Sequence, residues 1–417
     1  MKKLMLFVQL FLHIGFAQFY YNGDIHPSVM LRHSNNDIID LPYRLVDGHL
    51  SYSLRSIDIK SSFTLEHRIE SQEYSVELRE LYAIWYPSFG EITLGKQIHA
   101  WGAVDGNNPT DNINPYDFYF MFLPGTDRKR GILTAAANIY AGDWQIETIV
   151  IPDHTGNRIP YNEPDFPIVE FDEPSEDRIE TIENPVELGI RLKSMVGEND
   201  FSLSYFTAHD RSLTPSEMTV TPSGPQVAKF GYRKTSMIGF DWVGFIGDVT
   251  YRIESSVFQT KDEDWQFQTD AVYSQSVLQL EMTGFWDIVF SGQYIGSAVH
   301  DVKGGMSSEV PPVTIDLDKS SFQPGMGTPF AIFTDRGFMG SAKGTLLDNT
   351  LELTATVFYD MDGNGKLLGF DGEYSPIENW ILSLGNTSIV SDNDDSTNPF
   401  NKLEDFSHYT IGVQYNF

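Results

Sequence analysis

Apolar and polar residues alternate with a period of two along most of this chain, and nowhere more cleanly than at its end. Tyr409, Ile411, Val413, Tyr415 and Phe417 fall on one face and His408, Thr410, Gly412, Gln414 and Asn416 on the other, which is the repeat of a β-strand. In Leu351 to Asp360 the same reading sends Leu351, Leu353, Ala355, Val357 and Tyr359 outward and Glu352, Thr354, Thr356 and Asp360 inward. Val249 to Val257 places Thr250, Arg252 and Glu254 inside, and Val186 to Lys193 does so for Glu187, Arg191 and Lys193. A soluble sandwich also alternates, but its polar face does not need ions of both signs in successive strands. A wall with lipid on one side and water on the other does.

Turn residues divide the chain into about eighteen such segments, joined by connections that alternate short and long. Short ones are expected at Ile57 to Lys60, Pro87 to Gly90, Gly142-Asp143, Gly197 to Asp200, Gly244 to Gly247, Gly284 to Asp287, Leu347 to Asn349 and Ser375 to Asn379. Long ones are expected at Val104 to Arg130, Asp153 to Asn184, Asp210 to Gln226, His300 to Thr334 and Asp392 to Asp405. With the N-terminus in the periplasm, all the short turns share that side. The fold expected is all-β: a transmembrane antiparallel up-and-down β-barrel of about 18 strands, with 16 also compatible.

The two ends of the chain set the compartment. The terminal pattern, with Gly412, Tyr415 and Phe417 at fixed spacing, resembles the C-terminal assembly signal of Gram-negative outer-membrane barrels. That resemblance implies the barrel assembly machinery as a partner through Tyr415 and Phe417. Lys2 and Lys3 precede an apolar run from Leu4 to Phe16, and Gly15-Phe16-Ala17 offers small residues at a cleavage site. Residues 1–17 therefore read as a signal peptide and 18–417 as one barrel domain. The apolar run is too short for a spanning helix, which takes about 18 residues or more. Cysteine is absent, which excludes disulfides and lipoprotein anchoring.

Composition agrees with a wall in which alternate residues meet lipid: 13% of residues are aromatic and 34 are Gly, yet mean hydropathy is −0.25. The formal charge is −30. Nucleic acid is excluded as a partner, because a phosphate backbone requires a basic footprint. Membrane lipid and lipopolysaccharide are expected at the outer wall, small solutes in the lumen, and divalent cations at acidic loops. No cofactor is expected.

The densest chemistry runs from Glu80 to Arg130. Gly95-Lys96-Gln97 leads to His99 and Trp101-Gly102, then to Asn108-Pro109-Thr110-Asp111 and Asn114-Pro115-Tyr116-Asp117. From Arg79 to Arg130 the chain resembles a family of largely uncharacterised Gram-negative porin-like outer-membrane proteins. In style it is more distantly similar to alginate-export barrels. The resemblance implies a passive or substrate-selective channel with no agreed substrate. Asn, Asp and Pro build compact, self-bonded turns, so the segment from Asp105 to Asp117 suits a loop folded into the barrel. His99, Trp101, Asp105, Asn107, Asp111, Asn114 and Asp117 would then line a constriction; an outward cap that merely orders itself is the other reading.

Further candidates concern charge. Arg55, Arg68 and Arg79, with Glu66 and Glu77, fall on the polar face of three successive strands, a ladder that either polarises a pore or neutralises itself. Arg191, Lys193 and Arg252 would add lumenal positive charge and make an anionic or saccharide solute conceivable. Glu80 and Lys96 fall among apolar neighbours, reconciled by a cross-strand ion pair or by a bulge that turns them inward. Asp360, Asp362, Asn364 and Asp371 match a calcium-loop spacing, although Asp-Gly and Asn-Gly between strands more often form a hairpin turn. The acidic stretch with Glu163, Asp165, Glu170, Asp172 and Glu183 reads as a solvated loop with surface calcium as a lesser option. His209-Asp210, His300-Asp301 and His33-Ser34-Asn35 lack the motifs of known catalytic elbows, so no enzyme is expected. The first functional expectation is a channel for small hydrophilic solutes. The alternatives are a plugged adhesion barrel and a transporter of apolar ligands.

Overall fold

A computed structural model describes residues 18–166, 172–221, 224–262, 264–309, 312–395 and 398–417. The proposed signal peptide and Glu170 lie outside the described residues. Eighteen antiparallel strands close into one barrel. The first is broken into Gln18–Ile25 and Ser28–Arg32; the others are Tyr43–Leu54, Ile57–His67, Tyr74–Trp85, Gly90–Gln97, Ile132–Ala141, Trp144–Ile151, Glu187–Val196, Asn199–His209, Lys234–Ile246, Val249–Asp262, Gln268–Thr283, Val289–Glu309, Arg336–Leu346, Leu351–Asp360, Gly365–Ile377, Trp380–Ser391 and His408–Asn416. The last strand closes the ring on both pieces of the first, with Arg32 opposite His408 and Asp24 opposite Asn416. The break falls at His26-Pro27, because Pro27 has no N–H for the ladder; its carbonyl still accepts from Val413 N at 3.1 Å.

Among the described residues closure leaves the ring itself no edge strand and pairs every wall segment with a neighbour, the condition for crossing hydrocarbon. The outer face carries the apolar set: Leu94, Leu188, Ile238, Val257, Leu384 and Ile411 are all exposed. Tyr294, Phe338 and Tyr359 stand in register on three adjacent strands. Trp85, Trp144, Trp242, Trp286 and Trp380 gather toward the short-turn end. These are the aromatic belts of a membrane wall. Among the described residues no helix is long and apolar enough to cross a membrane.

The short turns are tight, with Gly142 at φ 63° and Gly197 at φ 65° supplying the left-handed conformation of two-residue hairpins. Arg55 also has a positive φ, 55°. It occupies the turn between Tyr43–Leu54 and Ile57–His67, not a lumenal strand position, so the expected ladder loses its first rung. The reason is a hairpin tighter and earlier than alternation suggested. At the long-loop end, Val289–Glu309 runs past its barrel partner and pairs with Pro312–Asp316; a second hairpin, Thr214–Thr221 with Gly224–Gly231, also stands outside the ring.

The long-loop half of the lumen is filled. One apolar cluster joins Tyr116, Phe118, Phe166, Phe330, Phe358, Phe400 and Phe406. The other joins Trp101, Ile113, Phe206, Met237, Phe258, Tyr273 and Met326. Both draw residues from loops as well as from inward wall positions, so the loops fold into the barrel because it offers them a core.

Candidate functional site: a loop folded into the lumen

After Gln97 the chain leaves the wall and crosses the lumen, returning to it at Ile132. Trp101, 2% exposed, enters first and packs edge-to-face on Phe206 with ring centroids 6.3 Å apart. Gly102 follows at φ 93°, where a Cβ would stand 2.6 Å from both carboxylate oxygens of Glu254. Only glycine lets the backbone come this close.

Glu254 is the anchor. Fully buried on the far wall, it accepts from Ala103 N at 2.9 Å, Val104 N at 3.3 Å, Asn108 Nδ2 at 3.3 Å, Thr110 N at 2.9 Å and Thr110 Oγ1 at 2.6 Å. Every partner is a donor, which matches an ionised carboxylate that can only accept. Beneath Thr110 the wall is cut back to a row of small residues, Ser204, Gly239 and Ser256, directly opposite one another on adjacent strands. A Cβ on Gly239 would lie 2.6 Å from the Thr110 methyl carbon.

The remaining loop residues are fixed as firmly. Asp105 N donates to Gln279 Oε1 at 2.7 Å, and Gln279 Nε2 donates to Asp105 Oδ2 at 2.6 Å. Asn107 Nδ2 donates to Gln293 Oε1 at 3.1 Å. Asn114 staples the two ends of the loop: its Oδ1 accepts from His99 N at 2.7 Å, and its Nδ2 donates to Gln97 O at 3.0 Å and Arg130 O at 2.8 Å. Lys129 lies 2.9 Å from Asp111 with both side chains buried. Asp117 and Glu66 share Arg158, at 3.0 and 2.9 Å. Burial pushes the Asp117 carboxyl up, with Arg158 opposing it.

A second hub sits on the near side. Arg211 donates to Glu187 Oε2 at 2.6 Å and to the Ile113 carbonyl at 2.7 Å, while His154 Nδ1 lies 2.8 Å from Glu187. His154, Glu187 and His209 are close enough together to suggest metal ligands, as are Glu66, Glu77 and Asp117. In each group an arginine, Arg211 or Arg158, already neutralises a carboxylate. These clusters bind loops to wall.

The expected basic ladder does not form. Arg68 lies at the mouth and pairs with Glu163 at 2.8 Å; Arg79 reaches Asp127 at 3.3 Å and Glu77 lies 3.9 Å from Lys96. Arg191 pairs with Asp241 at 2.8 Å, Lys193 with Glu147 at 3.7 Å, and Arg252 with Glu281 at 3.3 Å and Asp105 at 3.6 Å. Each cation has its acid, so there is no unbroken positive stripe.

Glu80 and Lys96 are separated by a bulge. Ser62 pairs with Glu80 and Phe63 with Leu78, leaving Arg79 as the extra residue. Glu80 thereby turns inward and accepts from Ile98 N at 2.8 Å. Lys96 stays outward, opposite Leu81 and Leu133, with its ammonium bonded to Leu78 O at 2.6 Å.

The calcium spacing does not converge. Asp360 Oδ2 accepts from Asn364 N at 2.9 Å, Asp362 is held by Arg336, and Asp371 lies on the next strand opposite Thr354. The tight turn is what these residues build. In the acidic stretch, Glu163 and Asp165 are tied down by Arg68 and Arg32, so this part of it is anchored to the mouth. At the same mouth, burial works against ionised Asp40. Bonds from the N–H groups of Glu70 and Ser71 and the charge of Arg68 outweigh it, holding the carboxyl below its usual range.

Beside the loop a cavity of about 230 Å³ is bounded by Asp105, Glu281, Gln293 and Lys343 together with the apolar Val289 and Met339. At the mouth, an apolar cavity of about 20 Å³ among Phe122, Phe330, Phe358 and Phe400 has space for little more than a water. Sequence reasoning placed Glu254 inside but missed it as the anchor, and it missed Gln275, Gln279 and Gln293. Their common signal was a long uncharged polar side chain recurring at inward positions.

No family model matches the chain, and no curated protein does. Solved structures do. The outer membrane protein opdK from Pseudomonas aeruginosa aligns with a TM-score of 0.51 at 10% identity, covering 96% of this chain and 99% of that one. Pseudomonas aeruginosa OccK2 (OpdF), solved in complex with glucuronate, aligns with a TM-score of 0.50 at 9% identity, covering 96% and 98%. Such identities carry the fold alone. They give this chain the fold of those proteins, a closed antiparallel β-barrel, here of eighteen strands.

Proposed function

We propose that the protein is an outer-membrane channel for small hydrophilic solutes, constricted by the loop from Trp101 to Asp117. The observation that carries this reading is that loop's attachment to the far wall at Glu254, Gln279 and Gln293, beside a cavity of about 230 Å³ into which Asp105, Glu281 and Lys343 bring charge. A folded-in loop narrows an aqueous barrel to solute size, and fixed donors and acceptors replace hydration at the narrowing. Asp210 is engaged by Arg233 and Thr235 and not by His209, whose ring lies beside His154 and Glu187, where Arg211 already holds the carboxylate.

The charge arrangement favours cationic or zwitterionic solutes over anionic ones. Asp24 faces Asp47, and Glu352 faces Glu373, directly across adjacent strands on the lumenal side. Like charges so placed repel, and of the four only Glu352 is shown paired to a lysine among the described residues, Lys343 at 2.6 Å. The opposing wall holds Arg191, Lys193 and Arg252, each already paired.

Planar-bilayer recording tests both points. Purified, folded protein is expected to give discrete conductance steps, with a reversal potential shifted toward cations in a KCl gradient and a smaller shift in Asp24→Asn/Asp47→Asn. A second reading, a barrel permanently closed by its loops, is favoured by the two apolar clusters filling the long-loop half. Absence of steps at any voltage from folded protein would sink the channel and establish closure.

A further inference from the structure

The cavity beside the loop has two charged ends. At one, Asp105, its side chain 68% exposed, and Glu281, 29% exposed, share one nitrogen of Arg252 at 3.6 and 3.3 Å. One guanidinium between two carboxylates leaves this end with net negative charge. Asn107 abuts the same cavity, its Nδ2 turned to Gln293 Oε1 at 3.1 Å and Met339 Sδ at 3.7 Å. Asn107 is 0% exposed, and its Oδ1 has no partner among the described residues. The groups left unsatisfied at this end are acceptors, and a buried acceptor without a donor is costly.

Strand register sets the distance to the other end. Glu281 faces Ser291, Ser291 faces Ser341, and one inward position nearer the short turns Val289 faces Lys343. Two strand spacings and two residues separate Glu281 from Lys343, about 12 Å between Cα positions, and less between side chains that converge on one cavity. Between them the floor is two hydroxyls flanked by the apolar Val289 and Met339. Lys343 is spent on Glu352 at 2.6 Å. Glu373, directly opposite Glu352, has no cation within ion-pair distance among the described residues, so this end too carries an excess of one acid.

We propose that this cavity binds a small organic dication, two primary ammonium groups joined by a short alkyl chain. An ammonium has three donors and no acceptor; the first takes Asp105 and Glu281, and its remaining donor answers Asn107 Oδ1. The methylenes lie on Val289 and Met339, and the second ammonium joins Lys343 in balancing Glu352 and Glu373. A zwitterion fits less well, because its carboxylate would meet Glu373 and a lysine already paired. The site rests on the channel reading for its access from water, but binding to folded protein and conduction are separate measurements.

Isothermal titration of the detergent-folded barrel at low ionic strength, with five-carbon probes that differ only in their ends, tests it. Wild type is expected to bind 1,5-diaminopentane about tenfold more tightly than pentylamine, and 1,5-pentanediol and glutarate not at all. Glu281→Gln is expected to weaken both amines about tenfold. Glu373→Gln is expected to weaken the diamine alone, to the level of pentylamine, and heat-dependent gel migration checks that both variants are folded. Equal diamine binding by wild type and folded Glu281→Gln overturns the site, as does tighter binding of 5-aminopentanoate than of the diamine. Undiminished diamine binding in Glu373→Gln overturns the place of the second ammonium. Single-channel recording separates the two readings: steps that the diamine does not block, without binding, overturn the site and leave the channel, whereas binding without steps keeps the site and removes the channel.

Discussion

Replacing Glu254 by Gln changes almost nothing in size and removes the feature on which the constriction hangs. In the native barrel one oxygen takes Thr110 N and Oγ1, and the other takes Ala103 N, Val104 N and Asn108 Nδ2. An amide keeps one acceptor and presents its NH₂ to the second set, so donors meet donors. Each buried donor left unsatisfied costs about 1–3 kcal/mol. Because water entering the freed space recovers part of that, the loop is expected to lose about 2–4 kcal/mol of anchoring. At about 1.4 kcal/mol per tenfold, its docked-to-released ratio falls by about thirtyfold to several hundredfold. The wall is spared, since residue 254 keeps its ladder pairing between Asp241 and Val277. Single-channel recording is expected to show larger, noisier steps in Glu254→Gln and more so in Glu254→Ala, with heat-dependent gel migration unchanged. Identical conductance and noise in both folded variants would refute the anchoring role.

Gly239→Leu is expected to lift Thr110 off the wall, since the added Cβ alone would sit 2.5 Å from Ser204 Oγ; overpacking of about 1–3 kcal/mol is read as protease sensitivity between Trp101 and Asp117. Arg211→Ala leaves the carboxylate of Glu187, 0% exposed, without its guanidinium, a loss of about 3–5 kcal/mol measured as a lower unfolding midpoint in urea. Arg211→Met/Glu187→Leu is expected to recover much of that loss, and no recovery would show that the Ile113 carbonyl bond carries the effect. Phe417→Ala is expected to lower the amount of barrel inserted in cells while leaving detergent refolding intact; equal insertion would remove the terminal aromatic from assembly.

Some of the site was readable before folding. The loop rich in Asn, Asp and Pro was visible because those side chains bond their own backbone, as Asn112 does with Pro109 O at 2.7 Å. Its docking partners were not, because Glu254, Gln279 and Gln293 lie more than a hundred residues away and meet it only across the lumen. Arg79 illustrates the other limit. Alternation counts positions, and a single extra residue in one strand moves Glu80 from the lipid face to the lumen while leaving Lys96 outside.

The sequence by itself determined the wall. Period-two alternation is a property of neighbours along the strand, and with short and long turns in strict succession it leaves a closed antiparallel barrel as the economical solution. Tertiary structure alone decided what fills that barrel. Whether a charge stands free in the lumen or is cancelled depends on which acid closure brings beside it, as with Arg191 and Asp241 at 2.8 Å or Arg211 and Glu187 at 2.6 Å. Those pairings follow from the curvature of the whole ring and the inward fold of its loops, which no local pattern encodes.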